Sequence, residues 1–80
     1  MNFNDAIKAM RADTRKVAHR NSGPMEQGSI IHGVKVSEHD RVFMVYKDLD
    51  DAFPRWKGKM PLQFSARDYA AGDWIVEVPK

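Results

Sequence analysis

The run Val42-Phe43-Met44-Val45-Tyr46 is apolar at every position. In a strand, where side chains alternate between faces, such a run must be covered above and below. It is therefore the expected central strand of a sheet. The segment before it, Ser29 to Val36, alternates instead, with Ile30, His32, Val34 and Val36 on one face and Ile31, Gly33 and Lys35 on the other. The polar turn Ser37-Glu38-His39-Asp40 joins the two runs, which predicts a β-hairpin.

Eighty residues offer one domain's worth of cover for that hairpin. A chain of this size hides only about 60 to 65% of its unfolded surface. Without cysteine it has no disulfide to add stability, so self-association into a dimer or tetramer is the expected supplement. The hydrophobic share of 42% still places it among folded chains and not disordered ones.

The cover on one side is predicted at the N-terminus. Phe3, Ala6, Ile7 and Met10 follow the i, i+3, i+4, i+7 spacing of an amphipathic helix. Asn2 is placed to cap it, and Asp5 sits in the first turn, where the helix dipole favours a negative charge. A turn at Asp13-Thr14 and a short basic strand over 15–20 follow, then an exposed loop from Asn21 to Gly28 broken by Gly23 and Pro24.

The second half reads as a polar irregular stretch from Asp48 to Lys59, a short strand over Met60 to Phe64, and a short helix. That helix opens on a Ser65-x-x-Asp68 capping box and ends at Gly72. A closing strand alternates Trp74, Val76 and Val78 with Ile75 and Glu77, and core packing is the expected role of Trp74. The expectation is a single α+β domain spanning 1–80, with an antiparallel sheet of about four or five strands.

Composition narrows the function. No apolar run approaches the roughly 18 residues that cross a bilayer, and the first residues lack the basic and apolar blocks of an export signal, so a cytoplasmic protein without a membrane partner is expected. A net charge of +2 and a pI near 9.1 suit an anionic partner but lack the dense cationic clustering of duplex binders, so nucleic acid is not the expected target. No nucleophile with a base, no carboxylate pair and no metal-ligand spacing stands out. His19, His32 and His39 lie on different elements and read as surface or strand histidines. Asp48, Asp50 and Asp51 lack the glycine and glutamate of a calcium loop and read as solvated. Neither an enzyme nor a cofactor is expected.

Two clusters remain. Arg55-Trp56-Lys57-Gly58-Lys59 interleaves an indole with cations, a combination that stacks a base while pairing phosphates, unless Trp56 simply folds back onto the core. Arg15-Lys16 and His19-Arg20 form the second, either an anion site or an edge strand guarded by charge.

The opening Met1-Asn2-Phe3-Asn4-Asp5-Ala6-Ile7-Lys8-Ala9-Met10 with Arg15-Lys16-Val17, and the closing Ser65-x-x-Asp68-x-x-Ala71-x-Asp73-Trp74-x-Val76-Glu77, resemble the two ends of the Thoeris anti-defence family, second type, of small phage proteins. Together they span a little under half of the chain. Two of that family's tryptophan positions carry other residues here, in Arg20-Asn21-Ser22-Gly23 and in Pro61-Leu62. The resemblance implies a strand-rich homo-oligomer that sequesters a cyclic nucleotide immune signal, a cyclic ADP-ribose isomer or a cyclic oligonucleotide, without cleaving it. Some relatives are described as anti-CRISPR proteins, so a host protein target is the alternative. By chemistry, the residues expected to hold the ligand are Arg15, Arg20, Arg55, Trp56, Lys57 and Lys59.

Overall fold

A computed structural model describes residues 1–21 and 26–79, with only the backbone at 26–27. It is an α+β domain: helix α1 (Phe3–Ala12), strands β1 (Val17–Arg20), β2 (Glu26–Gln27), β3 (Ile30–Val36), β4 (Val42–Asp48) and β5 (Lys57–Met60), helix α2 (Ala66–Ala70) and strand β6 (Trp74–Glu77). The sheet is antiparallel in the order β5-β4-β3-β1-β6, and β2 pairs with β3 off this path.

The β3–β4 hairpin forms as expected, in register from Ile30 opposite Asp48 to Val36 opposite Val42. The central strand is β3 and not β4, however, because β1 inserts between β3 and β6. Ala18 pairs with Val34 on one side and with Val76 on the other. β1 is thus an interior strand, and its basic residues do not guard an edge.

Alternation assigns the two faces. Ala18, Val34, Val36, Val42, Trp74 and Val76 point to the side covered by α1, where Ala6 and Met10 are fully buried against them. Asn2 caps α1 as predicted, its side-chain oxygen accepting from the Asp5 N–H at 2.8 Å. Trp74 is 1% exposed, packs beside Phe3 and Phe64, and donates its indole N–H to the Asp68 carbonyl at 3.0 Å. Burying that ring contributes about 4 to 6 kcal/mol at 25 cal/mol/Å² over 150–250 Å².

Local details differ from the sequence pattern. Residues 26–27 pair with Ile31 and Ile30 across a turn at Gly28, which has φ +64°, so the stretch to Gly28 is not all loop; residues 22–25 lie outside the described residues. The fifth strand begins at Lys57 and ends at Met60, where Pro61 follows with no N–H to give. A bulge between Met44 and Tyr46 lets Gly58, at φ +84°, pass the Tyr46 ring, a position where a Cβ would stand 2.7 Å from that ring. At α2, Ser65 is the N-cap residue, but its hydroxyl goes to the Asp68 carboxylate at 3.1 Å and not to the backbone. No described helix is long and apolar enough to cross a membrane.

Candidate functional site

The second face of the sheet carries no helix. Val17, His19, Ile31, Gly33, Lys35, Phe43, Val45, Lys47, Ile75 and Glu77 point to it by alternation with the residues under α1. At its centre Gly33 leaves a gap that Trp56 fills from the loop before β5. A Cβ on Gly33 would lie 2.9 Å and 3.0 Å from indole carbons and 3.0 Å from the Ala18 carbonyl oxygen. Glycine at 33 is therefore what lets the indole rest on the sheet. Val17 and Val45 are buried on the same face, at 0% and 2% exposure. Trp56 does fold back, onto the side of the sheet away from the helical core.

Folding back does not remove Trp56 from chemistry. His19 stacks near it, with ring centroids 5.9 Å apart and planes at 29°. Lys47 Nζ lies 5.0 Å from the indole centroid, an attraction of order 0.5–1 kcal/mol. The indole N–H is buried and has no acceptor among the described residues, which costs about 1 to 3 kcal/mol relative to a satisfied donor. Beside the ring is a recess of about 280 Å³ lined by Lys47, Arg55, Trp56, Glu77, Val78 and Pro79. Lys59 reaches over Phe43 on the same face, its Nζ 5.3 Å from the ring centroid, and Lys35 sits opposite Phe43 on β3. This face is cationic and aromatic together.

The six residues expected to hold a ligand separate. Arg55 and Trp56 share the recess, and Lys59 shares the face. Lys57 turns to the other side, over Tyr46 at 5.6 Å, and its Nζ donates to Asp51 at 2.9 Å; that contact raises the lysine's pKa above its ordinary range. Arg15 is 78% exposed and closes on Asp13, its guanidinium holding that carboxyl down to about 2. Arg20 is already engaged within the fold. Its guanidinium, 11% exposed, donates to Asp68 at 2.6 Å and to both carboxylate oxygens of Asp73. These hydrogen bonds keep the guanidinium charged and lower the Asp73 pKa. The result is a clasp that ties β1 to α2 and to the start of β6.

The sequence pattern did not single out Lys47, Glu77 and Lys35; His19 stood in the second basic cluster, but not as a partner of Trp56. The signal was present in Gly33: an alternating strand whose helix-facing positions are Val34 and Val36 puts Gly33 and Lys35 together on the far face. Glu77 shares that face, and its Oε1 lies 3.3 Å from His19 Nε2, while His19 Nδ1 is 3.1 Å from the Arg20 carbonyl oxygen. Among the described residues no cluster of three or more His, Cys, Asp or Glu is placed to hold a metal ion.

The fold and the site define a small α+β domain with one helix-covered sheet face and one open face that is basic and aromatic. No protein-family model, no curated protein and no solved structure matches the chain.

Proposed function

We propose that the chain is a non-catalytic binding protein that captures a nucleotide-type signalling molecule on the helix-free face of its sheet and holds it without cleaving it. One observation carries the proposal: Lys47 and Arg55 converge with Trp56 on a single recess, with Lys35 and Lys59 on the same face. Phosphates are bound by such cations and bases by such rings. The resemblance of the two chain ends to Thoeris anti-defence proteins names the class of signal, a cyclic ADP-ribose isomer or a cyclic oligonucleotide. A sequestering protein of this kind works by affinity and abundance, so it requires no catalytic group.

Isothermal titration at two salt concentrations, against cyclic di- and trinucleotides and cyclic ADP-ribose isomers, tests the proposal. Sub-micromolar binding with the ligand recovered intact is the expected result, weakened by Arg55→Ala and by Trp56→Leu. A folded sample that takes up none of them refutes it.

A second reading has its own observation. Phe53 is 89% exposed at the tip of a loop that also exposes Leu49, Asp50 and Asp51. The loop is braced at its base, with the Leu49 N–H donating to the Ser29 carbonyl at 2.9 Å and the Asp50 N–H to the Asp48 carboxylate at 2.9 Å. An exposed aromatic beside carboxylates suits a protein partner with an apolar pocket and a basic rim, such as a host defence enzyme to be inhibited. Phe53→Ser would then abolish inhibition while leaving nucleotide binding intact.

A further inference from the structure

We infer that the Trp56 recess recognises one base of its ligand, and that this base is of the guanine type, with Glu77 reading its N–H edge. The inference rests on the proposed nucleotide binding and specifies the ligand's chemistry. Its starting point is an apparent contradiction. A recess that served phosphates alone would gain from Lys47 and Arg55 and lose from a carboxylate beside them, yet Glu77 lines the same recess. A carboxylate accepts hydrogen bonds and donates none, so it needs a ligand that presents N–H groups as well as negative charge.

Glu77 is set for that task. One carboxylate oxygen faces His19 Nε2 at 3.3 Å, and the other ring nitrogen of His19 faces the Arg20 carbonyl oxygen at 3.1 Å; the two oxygens are both acceptors, and a neutral imidazole donates its one N–H to either. The glutamate side chain remains 45% exposed beside the recess. His19 is thus a positioning residue for Glu77, and Trp56 brings an aromatic ring to the same recess.

The bases differ at the edge that would meet this carboxylate. Guanine offers two adjacent N–H donors, from its ring imino and its exocyclic amino group, which match the two oxygens of a carboxylate. Adenine and cytosine place a ring-nitrogen acceptor beside their amino group, and uracil flanks one N–H with two carbonyls. Each of those acceptors faces a carboxylate oxygen unfavourably. The recess is also small: at about 280 Å³ it falls just below the roughly 300–1,000 Å³ of small-molecule sites, which suits a single base better than a whole dinucleotide.

The test is titration of the intact protein with GMP, IMP and AMP, which carry the same phosphate and sugar and so cancel the general attraction of the cations. GMP is expected to bind at least about tenfold more tightly than AMP, since a hydrogen bond to a charged group is commonly a tenfold or larger effect. IMP, which keeps the imino N–H and lacks the amino group, should fall between them. Glu77→Ala should weaken GMP, tighten AMP and so erase the difference between them, and His19→Ala should narrow the GMP preference. Equal affinity for GMP and AMP in the unaltered protein overturns the inference while nucleotide binding stands. Failure of all three nucleotides, together with the cyclic signals above, overturns both.

Discussion

Replacing Arg20 by methionine should destabilise the protein without touching the ligand face. Methionine keeps the aliphatic stem and removes the guanidinium, leaving Asp68 and Asp73 facing each other with no cation. Asp68 is the costly partner because its side chain is 10% exposed; Asp73, at 33%, can recover part of its hydration. Breaking a buried pair from one side costs about 3 to 5 kcal/mol, and the partial exposure of Asp73 puts the expected loss near the lower end, about 3 kcal/mol. At roughly 4 to 8 °C per kcal/mol for a domain of this size, the melting temperature falls by about 12 to 24 °C. Thermal and urea unfolding followed by near-ultraviolet circular dichroism, which reports the packing of Trp74, measures this. Adding Asp68→Asn and Asp73→Asn to the methionine variant should restore part of the loss, because the destabilisation comes from uncompensated charge. A single variant that melts within about 3 °C of the parent, or a triple variant no better than the single, would refute the reasoning.

The same clasp predicts acid sensitivity. Asp73 has a folded-state pKa below its ordinary 3.8, through its hydrogen bond from Arg20, so the stability it contributes is present above about pH 4 and is lost as the pH falls through the lowered value; urea midpoints between pH 6 and pH 2 should drop, and drop less steeply in Arg20→Met. Trp56→Phe removes the indole N–H that has no acceptor, a gain of about 1 to 3 kcal/mol, along with apolar area, a loss of about 1 kcal/mol; a urea-derived stability between that of the parent and about 2 kcal/mol above it is expected, and a loss above about 2 would mean the N–H is satisfied in solution. Met10→Ala empties a fully buried position under α1 and should cost about 2 to 5 kcal/mol by the same measurement. Arg15→Ala, at a side chain 78% exposed and paired with Asp13, should leave stability within about 0.5 kcal/mol and nucleotide affinity unchanged.

Much of the architecture was legible in local pattern. The α1 stripe, the Asn2 cap, the β3–β4 hairpin and the burial of Trp74 all follow from spacing within a dozen residues, where periodicity is informative. The position of β1 is not local. Its insertion between β3 and β6 depends on pairing with residues near the other end of the chain, and this insertion is what brings Arg20 to Asp68 and Asp73. Asp68 and Asp73 are both visible in the sequence, but nothing in their spacing says that they converge on Arg20. At Trp56 both readings met: the ring folds back as a packing residue would, and the surface it packs on is the one that carries the cations. Lys57 and Lys59, two residues apart, were separated by a bulge at Gly58 that no alternation pattern announces.

The partnership of β1 with β6 also sets the order in which the molecule can form. β3 and β4 are joined by a tight turn and can meet early, at little cost in loop closure. Val17 and Glu77, by contrast, are neighbours in the sheet and separated by most of the chain. Until residues 74–77 arrive, β1 has an open side and α1 lacks the indole it packs beside. Contacts of such long range slow folding relative to local ones. A fragment ending before β6 should hold a hairpin and little else, and the quenching or shift of Trp74 fluorescence should mark the final step of folding.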